Sequence, residues 1–114
     1  MPYISTTTTK KLSDSEKETL QKALGEMISI FPGKSERWLM LSISDGVKMC
    51  FGGDDSLNCA FVEVKIFGNA PENAYDRFTE ELCGLFERSL SIPRDRVYVR
   101  YEESFHWGWN GANF

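Results

Sequence analysis

Apolar and polar positions recur along this chain at two periods, and the switches between them mark the elements. Residues 2–8 carry Ile4 and a run of β-branched threonines, which predicts a short strand. Ser13 and Glu16 have the spacing of a capping box. Behind them Leu20, Ala23, Leu24, Met27, Ile28 and Phe31 fall on one stripe, which predicts a helix of roughly four turns. Pro32-Gly33 stops that helix, and a cationic turn, Lys34-Ser35-Glu36-Arg37, leads into a second strand over 38–44. Asp45-Gly46 turns into a short strand, 47–51, closed by Gly52-Gly53, and 54–58 form a polar loop. The longest alternating run is 59–67, with Ala60, Val62, Val64 and Ile66 on one face and Phe61, Glu63, Lys65 and Phe67 on the other. Asn69-Ala70-Pro71-Glu72 opens a second helix, with Pro71 suited to its first turn, and its stripe is Tyr75, Phe78, Leu82, Leu85, Phe86 and Leu90. A turn over 92–96 feeds a strand at 97–101, and an aromatic, glycine-rich tail follows.

The pattern says the same thing twice. Strand, helix, turn with a proline and a basic residue, strand: residues 2–44 do this and residues 59–102 repeat it, with Glu36-Arg37-Trp38 matching Asp95-Arg96-Val97. A right-handed strand-helix-strand crossover pairs two strands in parallel. Two such units sharing a sheet predict an α/β (α+β) two-layer sandwich. It is a single domain, 1–114, in which a four-stranded mixed sheet carries both helices on one face, with short edge strands besides. The uncovered face would bear Phe61 or its neighbours, Trp38 or Leu39, and Tyr98. Read as an open apolar surface, it predicts a symmetric oligomer packed sheet to sheet.

Composition narrows the function. The 114 residues are 41% hydrophobic and 26% charged with a net charge of −4, which argues against a general nucleic-acid or anionic-membrane binder. No apolar run approaches a membrane span, and Thr6-Thr7-Thr8-Thr9-Lys10-Lys11 is polar where a secretory signal is apolar, so a cytoplasmic protein is expected. Cys50, Cys59 and Cys83 are odd in number and lack a CxxC spacing, which reads as reduced thiols. With the single His106 they offer no ligand pair for a metal.

Candidate chemistry sits at the start. Loss of Met1 would leave Pro2 as a free secondary amine at the head of a strand. An α-amino group titrates near 7.7–8.0, and burial or a neighbouring cation lowers that value. A base so tuned can take a proton from carbon next to a carbonyl. On Pro2 alone, the plainer reading is a small residue that suits removal of the initiator methionine.

The combined pattern resembles the macrophage migration inhibitory factor family of the tautomerase superfamily over nearly the whole chain. It rests on Met1-Pro2, Gly33-Lys34, Phe51-Gly52-Gly53 followed by Cys59-Ala60, and Ile66-Phe67-Gly68. It rests also on Cys83-Gly84-Leu85, Asp95-Arg96-Val97-Tyr98 and Gly108-Trp109-Asn110-Gly111. The resemblance implies a homotrimer with pockets at subunit boundaries and keto–enol tautomerisation of an aromatic 2-keto acid such as phenylpyruvate, with no cofactor or metal. It implies Pro2 as the catalytic base, Lys34 as the pocket lysine and Phe67 as a position whose backbone lines the pocket. Tyr98 would come from the neighbouring subunit, with Trp107, Trp109 and Phe114 as an apolar wall. Tyr3, next to Pro2, counts with the substrate-binding residues. The family also implies an alternative: a protein secreted without a signal peptide that binds a cell-surface receptor, its pocket vestigial.

Each assignment has a chemical reason and a plainer rival. Lys34 follows a helix stop, free either to pair with a substrate carboxylate and lower the pKa of Pro2, or simply to be solvated. Tyr98 points opposite to Val97 and Val99, where its hydroxyl either polarises a substrate oxygen or belongs to a sheet aromatic. Trp107 and Trp109 fit a pocket wall or an interface equally. Two positions depart from the family pattern. Cys59-Ala60-Phe61-Val62 lacks the second cysteine of a CxxC, so thiol-redox activity does not carry over. Arg100 stands where asparagine is usual. It either adds a second cation to the pocket, able to hold a carboxylate bidentately, or pairs with Glu63 or Glu102.

Overall fold

The computed structural model describes all 114 residues. Its elements run β1 (Pro2–Thr8), α1 (Asp14–Met27), β2 (Met40–Ser44), β3 (Ala60–Phe67), α2 (Glu72–Leu90), β4 (Val97–Ser104) and a two-strand hairpin, β5 (Gly108–Trp109) and β6 (Ala112–Asn113). The four long strands form one sheet in the order β2-β1-β3-β4. Parallel pairing joins β1 to β2 and β3 to β4, and antiparallel pairing joins β1 to β3. The two strand-helix-strand units thus lie side by side in one mixed sheet, the α+β sandwich that the repeat predicts.

Burial follows the alternation. Ile4, Thr6 and Thr8 of β1 and Ala60, Val62, Val64 and Ile66 of β3 face the helices and are buried. Leu20, Leu24 and Ile28 meet them from α1, with Phe78, Leu82, Phe86 and Leu90 from α2. Truncating one such side chain, Phe78→Ala, would cost about 3–5 kcal/mol through lost burial and an unfilled cavity. Ser13 caps α1 by accepting from the Glu16 N–H at 3.1 Å, while the Glu16 carboxylate accepts from the Ser13 N–H at 3.0 Å, completing the capping box. Pro71, expected within the first turn of α2, is instead its N-cap, and Glu72 is the first helical residue.

Three expectations need correction. Strand β2 begins at Met40 rather than residue 38, because Glu36–Trp38 form a turn of 3₁₀ helix closed by Leu39 N–H donating to the Glu36 carbonyl at 3.1 Å. Residues 47–50 pair with no strand in this chain, so the short strand expected there is reduced to one bridge between Phe51 and Asp54. The uncovered sheet face is not a continuous apolar surface. Phe61 and Tyr98 lie on it as expected, but Trp38 belongs to the 3₁₀ turn and Leu39 packs against the core. Beyond that aromatic pair the face carries Tyr3, Ser5, Ser42, Glu63, Lys65, Arg100 and Glu102. Whatever covers it meets charges and hydroxyls first.

Candidate active site

Pro2 opens β1, an interior strand, and is buried. A proline is tolerated there only because it is the strand's first residue, where the missing N–H leaves no gap in the ladder. Its register places it opposite Ile66, and Phe67 N–H donates to the Met1 carbonyl at 3.0 Å. In the chain with Met1 attached, the Pro2 nitrogen is an amide. The amine of Met1 shows what the surroundings do to a base at this spot. Burial first, and the Lys34 ammonium second, hold it below the ordinary α-amino value.

Lys34 is delivered by the end of α1. One turn of 3₁₀ helix, Ile28–Ile30, runs into Phe31, which is fully buried and packs 5.0 Å from Phe78 between ring centroids. From that anchor the chain reverses through Gly33, whose φ of 78° suits glycine, and Lys34 N–H donates to the Phe31 carbonyl at 3.1 Å. The Lys34 side chain then reaches across to donate from Nζ to the Phe67 carbonyl at 2.9 Å. Core packing of Phe31 therefore fixes where the cation sits.

The tail closes the site. Asn110 (φ 53°) and Gly111 (φ 85°) make a two-residue hairpin turn with both central residues left-handed, the geometry an Asn-Gly pair favours. The hairpin pairs Gly108 with Asn113 and Trp109 with Ala112, and Phe114 N–H donates to the Trp107 carbonyl at 3.1 Å. The Trp109 and Phe114 rings stack at 6.3 Å and 11°, Phe114 lies 5.5 Å from Phe67, and Trp38 meets Trp109 edge-on at 5.0 Å. A cavity of about 360 Å³ opens among Pro2, Tyr3, Arg37, Trp38, Trp107 and Trp109. Pro2, Lys34, Phe67, Trp107, Trp109 and Phe114 are thus gathered at one end of the sheet.

Tyr98 and Arg100 are not brought there. Tyr98 lies opposite Phe61, five residues along β3 from Ile66 and so roughly 17 Å from the Pro2 level of the sheet. It is 59% exposed, packs 4.9 Å from Phe51, and lines a separate apolar cavity of about 250 Å³ with Phe51 and Cys50. Within the chain Arg100 pairs with Glu102 at 3.5 Å and Glu63 at 3.9 Å. The Tyr3 hydroxyl is within 2.7 Å of the Ser42 hydroxyl on the uncovered face. His106 is exposed and held in a local turn with Ser104. Sequence reading missed Arg37 and Trp38, which it had assigned to a turn and a strand. The lost signal is the repeat of a short 3₁₀ turn before the last strand of each unit.

Comparison with known proteins agrees with this fold. The family model "Macrophage migration inhibitory factor (MIF)" matches residues 1–114. Among curated proteins, a macrophage migration inhibitory factor from Xenopus laevis is 29% identical over 103 residues, 89% of each chain. A homolog from Brugia malayi is 27% identical over 116 residues, covering 100% of this chain and 99% of the homolog. Among solved structures, Leishmania major MIF2 superposes with a TM-score of 0.91 at 30% identity, covering 100% of this chain and 97% of the other. A homologue from Prochlorococcus marinus gives 0.83 at 31% identity, covering 98% of each.

Proposed function

The chain belongs to the macrophage migration inhibitory factor family, and on that premise we propose that it is a cofactor-independent keto–enol tautomerase. Its substrate would be an aromatic 2-keto acid such as phenylpyruvate, and its base would be Pro2 once Met1 is removed. The observation that carries this reading is the environment at the head of β1. An amine placed there is pushed toward its neutral form by burial and by Lys34, beside a cavity walled with tryptophan. Pro2 is itself buried, so the same two influences bear on its nitrogen once it is free.

Removal of Met1 does two things at once. It turns the Pro2 nitrogen from an amide into a secondary amine. It also takes away the carbonyl that accepts from Phe67 N–H, leaving that N–H to donate to a substrate oxygen. Lys34, already at the Phe67 carbonyl, holds the substrate carboxylate as a compact charge. The Pro2 nitrogen then takes the proton from C3, the C3–H pair becomes the C2=C3 bond, and the carbonyl oxygen takes a proton from water to give the enol while the protonated Pro2 gives its own to water, which restores the free amine. The reverse runs through the same groups. No electrons leave the substrate, so the shift needs no redox partner. Tyr98, about 17 Å from Pro2 within one chain, would serve the pocket of a neighbouring subunit in a homotrimer, its hydroxyl polarising the enol oxygen.

The test is phenylpyruvate turnover by Met1-free protein against a Pro2→Gly variant. A loss of 10²-fold or more in kcat/KM, on the order of what general base catalysis supplies, is expected. Equal rates would remove the catalytic role and leave receptor binding as the family function to pursue.

A further inference from the structure

Arg37 has no part in the chemistry above, yet its side chain lines the same cavity as Pro2. Its guanidinium carbon lies 4.9 Å from the centroid of the Trp38 ring, and Trp109 holds that ring edge-on. We propose that the pocket selects aromatic 2-keto acids bearing a second carboxylate at the far end of the ring, and that Arg37 holds this second group. The inference rests on the tautomerase reading for the first carboxylate, which goes to Lys34.

Charge placement carries the argument. Eight ion pairs join side chains in this structure, and none of them involves Arg37 or Lys34. Lys11, Lys22, Arg88 and Arg94 also make no ion pair, so what sets Arg37 apart is its place at a cavity beside Pro2. The acid closest in sequence, Glu36, is turned the other way. Its Oε2 lies where a side chain on Gly25 of α1 would stand, beside a groove with Glu18, Gln21 and Lys22. No carboxylate lines the cavity. Arg37 is therefore the one charged side chain in its lining, and Lys34 stands outside that lining, at the Phe67 carbonyl.

Geometry makes Arg37 a better carboxylate holder than a mobile surface arginine. The contact with the Trp38 ring holds the guanidinium against the indole, while its N–H groups can fork onto two oxygens. The aromatic floor also excludes water from one side, which strengthens the pairing. A cavity of about 360 Å³ lies at the small end of ligand pockets, suited to one substituted ring and no more. A monoanionic ligand leaves Arg37 unpaired.

The experiment uses two ligands without a ketone, so that neither turns over: cinnamate and 4-carboxycinnamate, titrated calorimetrically into the Met1-free protein. The dicarboxylate is expected to bind roughly tenfold more tightly at low salt, with the gap narrowing in high salt as the exposed guanidinium is screened. Arg37→Gln should bring the two affinities together, and Arg37→Lys should restore part of the gap by charge without the fork. Equal affinities in the parent protein, a gap that survives Arg37→Gln, or no binding of either acid would overturn the proposal. Pro2→Gly must keep the preference. In the parent protein, the preference without phenylpyruvate turnover would count against the tautomerase reading alone, and turnover without the preference against Arg37 alone.

Discussion

Arg37 and Arg96 occupy the same place in the two halves of this molecule, each in a 3₁₀ turn between a helix and the last strand of its unit. Their surroundings are opposite. Arg96 is 8% exposed, and its guanidinium donates to the carbonyls of Asp54, Leu57 and Asn58 at 2.8–3.1 Å, tying down the loop before β3. Arg37 is exposed, makes no ion pair, and leans on a tryptophan at a cavity. The residues that follow differ as well. Val97 begins β4 and is buried in the core, whereas Trp38 stays in the 3₁₀ turn, half-buried, with its ring edge-on to Trp109 of the hairpin. One unit spends its basic turn on stability, and the other leaves it available for a ligand.

If that division is right, changes in the first unit alter kinetics and changes in the second alter folding. The largest effect should come from retaining Met1, for instance through a residue at position 2 that blocks its removal or a tag that precedes it. The nitrogen of position 2 stays an amide and Phe67 N–H stays occupied, so turnover should fall by 10²-fold or more while thermal stability holds. Arg96→Ala should destabilise by about 2–4 kcal/mol in denaturant titration, since a buried side chain and its three hydrogen bonds to the 54–58 loop are lost. The matched Arg37→Ala should stay within about 0.5 kcal/mol. Equal costs would break the comparison.

Lys34→Ala should raise KM for phenylpyruvate by about tenfold or more, the loss of one charge-assisted contact. It should also move the acidic limb of the kcat/KM profile to higher pH. The sign follows from the amine. A nearby cation disfavours its protonated form, so removing that cation raises its pKa, and the neutral base then appears only at higher pH. A smaller effect belongs to the second unit. Tyr101, half-buried with its hydroxyl 2.6 Å from that of Thr79, is pushed up from 10.0 to about 12, chiefly by burial. A raised folded value means that stability is whole below pH 10 and is lost as the pH climbs toward 12. Tyr101→Phe should flatten that decline, measured as unfolding free energy between those limits.

Much of the fold was legible because each unit repeats one period switch. The face assignment in β3, the capping box at Ser13 and the helix stop at Pro32-Gly33 all follow from local chemistry that no tertiary contact overrides. Lys34, Phe67 and the tail were legible from the family pattern, and the Asn110-Gly111 turn gives the reason that Trp109 and Phe114 share a side. What was not legible depends on partners. Residues 47–50 have strand composition but no strand beside them in one chain. Trp38 looks like the start of an alternating run, and only the hydrogen bond from Leu39 to Glu36 removes it from the strand. The uncovered face read as apolar because the aromatic pair at one end of it, Phe61 and Tyr98, outweighs in pattern the hydroxyls and charges along the rest. The separation of Tyr98 from Pro2 is a matter of register, which composition does not report.

The most direct test of the central claim is a titration of the Pro2 nitrogen by ¹⁵N NMR in proline-labelled, Met1-free protein, beside a peptide beginning Pro-Tyr-Ile-Ser. The structure leads us to expect a midpoint in the protein clearly below that of the peptide. A midpoint equal to or above the peptide's would mean that neither burial nor Lys34 tunes the base, and the proposed chemistry would have no seat at the head of β1.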